Sequence, residues 1–336
     1  MTETPANTPS LTDKTRSINA GTQVVGVHFL RDTAAFVLAE ESVLLIKPDG
    51  SEQKVTPHGG AILASAADSK RVVTGGDDGK VVAIDASGAA ESVVTEEKHR
   101  WIDRVALASD GSLAWSAGKQ VFVRTTKGEV RTTEVASTVG GLAFAPKGFR
   151  LAVAHYNGVS LWFPNARDAQ PEMLEWKGSH LDVIFHPDGK FLVTAMQEAM
   201  LHGWRLDDRK NMRMSGYSGR VRSMSWTADG KWLATSGSTQ LILWPFQGKD
   251  GPMGKQPKLA APGDSRVEMV ASHPDKDVVA TGFSDGLILL VRIEDGAEIL
   301  IRRPTGAPIS AMAWNASGSM LAWGTEDGEA GRLDLN

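Results

Sequence analysis

A short turn recurs along the 336-residue chain, and its spacing constrains the fold more than any other feature. Each copy joins an apolar strand-like run to a second one through a small turn that contains Asp or Gly. The clearest copies are residues 183–194, VIFHPDGKFLVT, and residues 224–235, MSWTADGKWLAT. The third turn position recurs at steps of 36 to 46 residues, at Asp32, Asp68, Asp110, Lys147, Asp188, Asp229, Asp275 and Ser317. A sustained period of this length indicates a repeat architecture of eight units.

Each interval between turns holds three or four short strand-like runs separated by Gly, Asp, Asn or Pro. The sixth repeat shows the layout, with runs over residues 221–226, 232–236 and 241–246. Alternating apolar runs bounded by turn residues predict strands, and no stretch has helical periodicity. The sequence therefore predicts an almost wholly β chain.

These turns and third strands resemble those of the WD40 family, in which the turn reads Ser-Pro-Asp-Gly and the third strand ends in Trp-Asp. The strand ending survives here at residues 160–162, 203–204 and 243–244. The resemblance covers nearly the whole chain and implies a WD40-type β-propeller, because one four-stranded blade cannot bury its apolar faces alone. Eight repeats predict eight blades. Seven blades is the alternative if the irregular first or second repeat is not a full blade.

We expect a flexible tail over residues 1–14 and a single propeller domain over residues 15–336, with repeats beginning near residues 24, 60, 101, 138, 180, 220, 266 and 308. The last repeat has only three strand-like runs, over residues 309–315, 320–325 and 331–335. The segment around residues 15–21 precedes the first repeat and has no other place. We predict that it supplies the missing outer strand and closes the ring.

The family's buried His–Ser/Thr–Asp–Trp network is expected to be largely absent. The Gly-His dipeptide that usually opens a repeat is missing, and His99 is its nearest candidate. Blade stability should then depend on packing of Phe144, Phe185, Trp226 and Trp314. Burial of such a side chain contributes roughly 1.5–3 kcal/mol.

No residue pattern predicts catalysis, a metal site or a cofactor. Residues 282–286, GFSDG, match the Gly-x-Ser-x-Gly nucleophile elbow, but an elbow needs a following helix and here a strand-like run, LILL, follows. A β-turn is the favoured interpretation. The eight histidines lack zinc-ligand spacing, and the chain has no cysteine. First strands rich in small and apolar residues also argue against a propeller-fold enzyme.

Charge and composition point to a cytoplasmic protein. The net charge of −4 gives no reason to expect a nucleic acid or an anionic membrane as partner. The first 20 residues lack the apolar core of a secretory signal, and no apolar run reaches the roughly 20 residues that span a bilayer. The absence of cysteine fits a reducing compartment. We expect a monomer.

In WD40-like propellers, partners most often dock on loops that precede the first strands and on second-to-third-strand turns. Trp and Arg dominate interface hot spots because they join large contact areas to polar donors. The residues predicted to bind a partner are Trp101, Arg104, His180, Arg220, Arg222 and Arg266. The resemblance thus implies a non-catalytic scaffold for an unidentified protein or peptide. The alternatives are a small-ligand sensor or an enzyme that uses the central channel.

The longest interval contains a second candidate site. Residues 247–258 are rich in Gly and Pro, which prevent a regular outer strand over part of the segment. It is either a mobile outer loop or a basic docking loop whose contact residues would be Lys249, Met253, Lys255 and Lys258.

Overall fold

The computed structural model describes residues 8–96, 98–166 and 170–335. Within these ranges the regular structure is thirty β-strands and one short 3-10 helix, Thr12–Lys14. This confirms the prediction of an almost wholly β chain. No helix in the described ranges is long and apolar enough to cross a membrane.

The strands, in chain order, are β1 (Thr15–Asn19), β2 (Val24–Leu30), β3 (Thr33–Leu38), β4 (Val43–Ile46), β5 (Glu52–Val55), β6 (Ile62–Ala67), β7 (Arg71–Gly76), β8 (Lys80–Asp85), β9 (Ala90–Thr95), β10 (Arg104–Leu107), β11 (Leu113–Ala117), β12 (Gln120–Arg124), β13 (Val130–Glu134), β14 (Gly141–Phe144), β15 (Leu151–Trp162), β16 (Glu172–Phe185), β17 (Phe191–Met196), β18 (Met200–Arg205), β19 (Asn211–Ser215), β20 (Met224–Trp226), β21 (Trp232–Thr235), β22 (Leu241–Pro245), β23 (Lys258–Ala260), β24 (Val267–Ser272), β25 (Val278–Phe283), β26 (Ile288–Arg292), β27 (Glu298–Arg302), β28 (Ile309–Trp314), β29 (Met320–Thr325) and β30 (Glu329–Asp334).

The chain divides into two compact bodies. The first body consists of Met1–Ala39, Leu44–Glu52 and Tyr217–Asn336, and the second of Glu40–Val43 and Gln53–Gly216. The first contains the four-stranded sheets β20–β23, β24–β27 and β1-β30-β29-β28, and most of the sheet β2–β5. The second contains the four-stranded sheets β6–β9 and β10–β13 and the six-stranded sheet β14–β19. A single domain over residues 15–336 stays a prediction.

Burial within the sheets follows residue type. The second strands are continuous runs of small and apolar residues, and both β3 (TAAFVL) and β17 (FLVTAM) are buried at every position. Outer strands alternate between exposed and half-buried positions, as in β13 (VRTTE). A strand that is covered on both faces needs apolar residues throughout, whereas an edge strand with one solvated face does not. The cores therefore lie around the inner strands of each sheet.

The N-terminal segment completes the last sheet, as predicted. Strand β1 pairs antiparallel with β30, in a register that runs from Thr15 opposite Leu333 to Asn19 opposite Glu329. Ile18 is buried and joins a hydrophobic cluster of the first body that also contains Phe36. The last repeat contributes β28, β29 and β30, so a segment from the opposite end of the chain supplies the fourth strand.

The sheet closed by β1 packs closely against the sheet that begins with β2. The Ser310 hydroxyl donates a hydrogen bond to the Val24 carbonyl at 2.5 Å, and the Asn315 amide donates to the Asp32 carboxylate at 3.0 Å. A Cβ atom at Gly324 would lie 2.3 Å from the Val24 Cβ, so only glycine fits there. Strand β1 therefore stands beside a tightly packed junction.

The structure has seven sheets, so the prediction of eight separate blades is wrong. Repeats four and five share one six-stranded sheet because β16 runs without a break from its pairing with β15 into its pairing with β17. Within β15, Asn157 and Gly158 adopt φ angles of 69° and 142°, and the His155 ring lies 2.9 Å from the Ser160 hydroxyl, so the chain reverses there. A register shift beside this reversal pairs Tyr156 with Ser179 in the middle of β16.

The segment before β1 also makes backbone contacts. The Leu11 N–H donates to the Leu300 carbonyl, and the Leu300 N–H donates to the Pro9 carbonyl, both at 2.8 Å. Backbone pairing with β27 therefore begins before residue 15, inside the predicted tail. Residues 1–7 of that tail lie outside the described ranges.

Candidate partner-binding surfaces

Trp101 is the most exposed large apolar side chain among those described, with 65% of its surface accessible. It lies between two anchored residues of the second body. Arg100 donates to the Glu96 carboxylate from Nε at 2.9 Å and to the Gln120 side-chain oxygen from Nη1 at 2.7 Å. Ile102 is fully buried, and its N–H donates to the Gly76 carbonyl at 3.0 Å. The backbone that carries the Trp101 ring is thus held on both sides.

The ion pair between Glu96 and Arg100 also stabilises the loop that carries Trp101. The Arg100 side chain holds the pKa of the Glu96 carboxyl below its usual range, chiefly through their hydrogen bonds. The Glu96 carboxylate also accepts the backbone N–H groups of Lys98 and Arg100, at 2.8 and 3.0 Å. The loop is therefore preorganised, which lowers the entropy that a partner would have to remove on binding.

Arg104 lies in the same body but is mostly committed to the protein itself. Its Nε donates to the Gly140 carbonyl at 2.7 Å, and its Nη1 donates to the Asp103 carbonyl at 2.5 Å. Asp103 in turn accepts the Ser116 hydroxyl at 2.8 Å. Arg104 is half-buried, so its remaining donors are what a partner could reach.

His180 is not a surface residue, which corrects its place among the predicted binding residues. It is 1% exposed, and its ring nitrogens hydrogen-bond to the Thr194 hydroxyl at 2.8 Å and the Trp176 carbonyl at 3.0 Å. Burial lowers the pKa of His180. It lies within β16, opposite Met196, and not in a loop before the strand.

His202 lies against this histidine and is fully buried. Its ring stacks on Trp176 with the centroids 4.0 Å apart and meets Trp204 edge-on at 4.7 Å. Neither ring nitrogen has a hydrogen-bond partner within the described part of the chain. Burial, with a smaller contribution from His180, lowers the pKa of His202 to about 3. The imidazole is therefore held neutral.

Two of the predicted arginines share one buried carboxylate in the first body. Arg266 donates to Glu268 from Nε at 2.8 Å and from Nη2 at 2.6 Å. The Nη1 atom of Arg222 lies 3.7 Å from Glu268 and 3.8 Å from Glu326. The arginine side chains are 47% and 43% exposed, whereas that of Glu268 is 7% exposed. The buried acid thus fixes two accessible guanidinium groups, and Arg220 is exposed two residues before Arg222.

The segment at residues 247–258 folds back on its own body. Lys255 donates from Nζ to the Gln247 carbonyl, and Lys258 donates to the carbonyls of Ile293 and Glu294. Lys258 also belongs to β23. Lys249 is exposed and Met253 is half-buried. The docking-loop hypothesis therefore stays a prediction, in which Lys255 and Lys258 already make hydrogen bonds within the protein.

The Gly-x-Ser-x-Gly match is a turn, as interpreted from the sequence. It lies between the end of β25 and the start of β26, so a strand follows it. The Ser284 side-chain oxygen accepts the Arg266 backbone N–H at 3.1 Å, which gives the serine a structural role. Among the described residues, no group of three or more His, Asp or Glu side chains could hold a metal ion.

Sequence reasoning missed a buried polar chain in the sixth repeat. The Trp244 indole N–H donates to the Tyr217 hydroxyl at 2.7 Å, and that hydroxyl lies 2.9 Å from the Thr235 hydroxyl. Thr235 donates in turn to the Ile242 carbonyl at 3.1 Å. Burial raises the pKa of Tyr217, so the phenol stays protonated. Tyrosine here occupies the place expected for histidine, which is why the residue pattern did not reveal the network.

Comparison with known proteins assigns this region to a family. Residues 209–245, which contain the Trp244–Tyr217–Thr235 chain, match the family model described as WD domain, G-beta repeat. The matched segment is a WD40 repeat, and the four-stranded sheets of the chain are those of a β-propeller.

A relative and a solved structure are also similar to it. The periodic tryptophan protein 2 homolog of Caenorhabditis elegans is 25% identical over 168 residues, which cover 47% of this chain and 18% of that protein. The crystal structure of the computationally designed Ika8 protein superposes with a TM-score of 0.78 at 15% identity, covering 94% of this chain and 97% of that one. The second likeness concerns the fold alone. Counted by sheets, the propeller has seven blades.

A second blade of the propeller retains the WD40 type of network, contrary to the expectation that it would be largely absent. His58 contacts the Asp78 carboxylate through Nδ1 at 2.9 Å and the Thr74 hydroxyl through Nε2 at 2.8 Å. A Cβ atom at Gly76 would lie 2.4 Å from His58 Nδ1, so glycine makes room for the ring. His99, the candidate chosen from sequence, is exposed. The pairing of His58 with Thr74 was the signal available in the sequence.

Proposed function

We propose that this WD40-repeat propeller is a non-catalytic scaffold that binds a protein or peptide partner, with Trp101 at the centre of the contact. The exposure of this indole on an anchored loop carries the proposal. An exposed Trp on a rigid backbone is typical of hot spots, because it buries a large area at a small cost in conformational entropy. The name of the worm relative, a periodic tryptophan protein, gives no partner to transfer.

The arginine pair of the first body supports a second contact. Arg222 and Arg266 are exposed but oriented by the buried Glu268, so a partner carboxylate or phosphate would meet preformed donors. We further propose that the protein is a cytoplasmic monomer and that its partner is neither a nucleic acid nor a membrane.

The test is quantitative affinity capture from a lysate of the source organism, with the wild type and two variants. We expect Trp101→Ala to reduce recovery of at least one specific partner by about tenfold, as hot-spot truncation does. Arg222→Ala/Arg266→Ala tests the second contact. Val130→Ala is the matched control, since Val130 is also an exposed apolar residue of the second body, 54% accessible.

Equal recovery of every partner by the wild type and Trp101→Ala would overturn the assignment of Trp101. Reduced recovery with Val130→Ala as well would show that the loss is not specific to this loop. Melting curves of Trp101→Ala and Val130→Ala should coincide with that of the wild type, because neither side chain is buried. Arg222→Ala/Arg266→Ala leaves the buried Glu268 without a cationic partner, so this variant should melt at a lower temperature.

A further inference from the structure

A cavity of about 430 Å³ lies in the first body and shares no lining residue with the two surfaces described above. Its walls come from the N-terminal segment, the turn before β25, strands β25, β26 and β27, and the ends of β28 and of the chain. Sites for small organic ligands commonly measure roughly 300–1,000 Å³ and combine apolar walls with a few polar groups. The size and composition of this cavity fall in that class.

Five apolar side chains of the wall are only partly buried: Leu11, Val278, Ile299, Trp314 and Leu335. They pack on a buried cluster of the first body, yet each keeps surface that faces no protein atom. Filling the cavity with an apolar group would remove this surface from water, which contributes about 25 cal/mol for each Å².

The aromatic wall residues present ring surface, because their polar atoms are engaged elsewhere. The Trp314 indole N–H donates to the Ala271 carbonyl at 3.1 Å. His273 donates from Nε2 to the Gly318 carbonyl at 3.0 Å, and its Nδ1 accepts the backbone N–H groups of Asp275 and Lys276. This pattern fixes the neutral tautomer, and burial lowers the pKa of His273.

Glu298 is the polar group of the wall that lacks a partner. Within the described part of the chain its carboxylate makes no hydrogen bond or ion pair, and burial raises the pKa of this carboxyl. Arg292, which also lines the cavity, is occupied by Asp295 through bonds of 2.8 and 2.6 Å. Lys276 is exposed at the rim. The wall thus holds one carboxylate that has no salt-bridge partner among the described residues.

We propose that this cavity binds a small organic cation, a protonated amine carried on an aromatic or aliphatic body. The body fills the apolar space and the ammonium group pairs with Glu298. An uncharged ligand would bury the carboxylate without compensation, and an anion would add repulsion. The site is independent of the partner surface at Trp101, so either proposal can fail alone.

Three probes that share a phenyl-alkyl body separate the contributions: phenethylammonium, 2-phenylethanol and 3-phenylpropionate, each titrated calorimetrically into the full chain at pH 7.5. We expect phenethylammonium to bind about tenfold or more tightly than the alcohol, because a charge-assisted hydrogen bond replaces a neutral one. The carboxylate probe should bind most weakly.

Two variants and a control locate the site. Glu298→Gln should remove the preference for the amine and leave the alcohol unaffected, whereas Glu294→Gln, which removes an exposed acid nearby, should change neither. Leu335→Trp should fill the cavity and weaken all three probes. A preference for the amine that survives Glu298→Gln, or equal affinities of the three probes for the wild type, would overturn the proposal.

The pH dependence of amine binding gives a second test of the role of Glu298. Pairing with an ammonium group favours the ionised form of Glu298, so binding of the amine releases a proton where that carboxyl is partly protonated. The affinity for the amine should therefore fall between pH 7.5 and pH 4.5, while that for the alcohol should not. Asp295 raises the pKa of Arg292, which therefore stays charged over this range, and burial lowers the pKa of His273. Lys276 is the other charged group of the wall. An amine affinity independent of pH would contradict the role given to Glu298.

Discussion

Tyr217 and His58 show how single buried residues hold the inner strands together. Each bridges the segment before an inner strand to a threonine of the following strand, at 2.9 Å for Tyr217 to Thr235 and 2.8 Å for His58 to Thr74. Buried polar groups cost free energy unless they are hydrogen-bonded, so both residues depend on their partners. The two blades thus provide a hydrogen-bond partner for a buried threonine with different aromatic rings.

Replacing Tyr217 with Phe tests this bridge. The change leaves the Trp244 indole N–H and the Thr235 hydroxyl without a shared partner in a buried site, so the free energy of unfolding should fall by about 1–3 kcal/mol. Denaturant titration followed by Trp fluorescence measures it. Tyr156→Phe is the matched control, because Tyr156 is 55% exposed and should lose almost nothing. Equal stability of the two variants would contradict the bridging role.

His202 makes stability depend on pH. Its folded-state pKa of about 3 lies below the ordinary 6.5, so the folded chain resists a proton that the unfolded chain binds. Stability is therefore full above about pH 6.5 and is lost as pH falls toward 3, at a rate of up to about 1.4 kcal/mol per pH unit. His202→Phe keeps the stack on Trp176 and should flatten the decline between pH 7 and 5 by about 2 kcal/mol.

Unfolding free energies at several pH values check this expectation. His99→Asn is the control, since His99 is exposed with φ 52° and Asn tolerates that backbone conformation. An unchanged slope in His202→Phe would show that the ring does not resist protonation.

Among the strands, β1 is anchored to the protein mainly through one side chain, that of Ile18. Ile18 is 6% exposed, whereas Ser17 and Asn19 on either side are exposed, as alternation along a strand requires. The backbone pairing of β1 with β30 would be weak alone, because an edge strand without apolar anchoring gains little. Burial of Ile18 in the cluster with Phe36 supplies that anchoring.

Ile18→Ala should therefore lower the free energy of unfolding by about 2–4 kcal/mol, through lost burial and the cavity that remains. Ser17→Ala, one residue away on the solvent side, should be close to neutral. Thermal and denaturant unfolding of both variants measure the difference. A neutral Ile18→Ala would mean that β1 is held by its backbone alone.

For the whole molecule, the repeat spacing and the turn residues were enough to predict the β-propeller, the strands near residues 232–246 and the closing role of β1. The six-stranded sheet could not be predicted, because it depends on β16 continuing past the pairing of Tyr156 with Ser179, which no residue type marks. Trp101 and the arginine pair are exposed where the repeats placed them. The burial of His180 could not be read from its position, since side-chain direction depends on local register.

Closure by β1 makes a prediction at this scale. Deleting residues 1–22 leaves β30 as an unpaired edge and uncovers the pocket of Ile18, so the melting temperature should drop markedly. Deleting only residues 1–7 leaves β1 intact and serves as the control. Coincident melting curves for the wild type and the longer deletion would refute the closing role.

Strand β1 also sets a delay during synthesis. It is made before its partner β30, which follows more than 300 residues later. At about 5–20 residues per second, the wait is on the order of 15–60 s. Until then Ile18 and an unpaired strand edge are open to other chains, which is the situation that favours domain swapping between neighbouring nascent copies. A cell that makes this protein must keep that segment from pairing elsewhere until the last strand emerges.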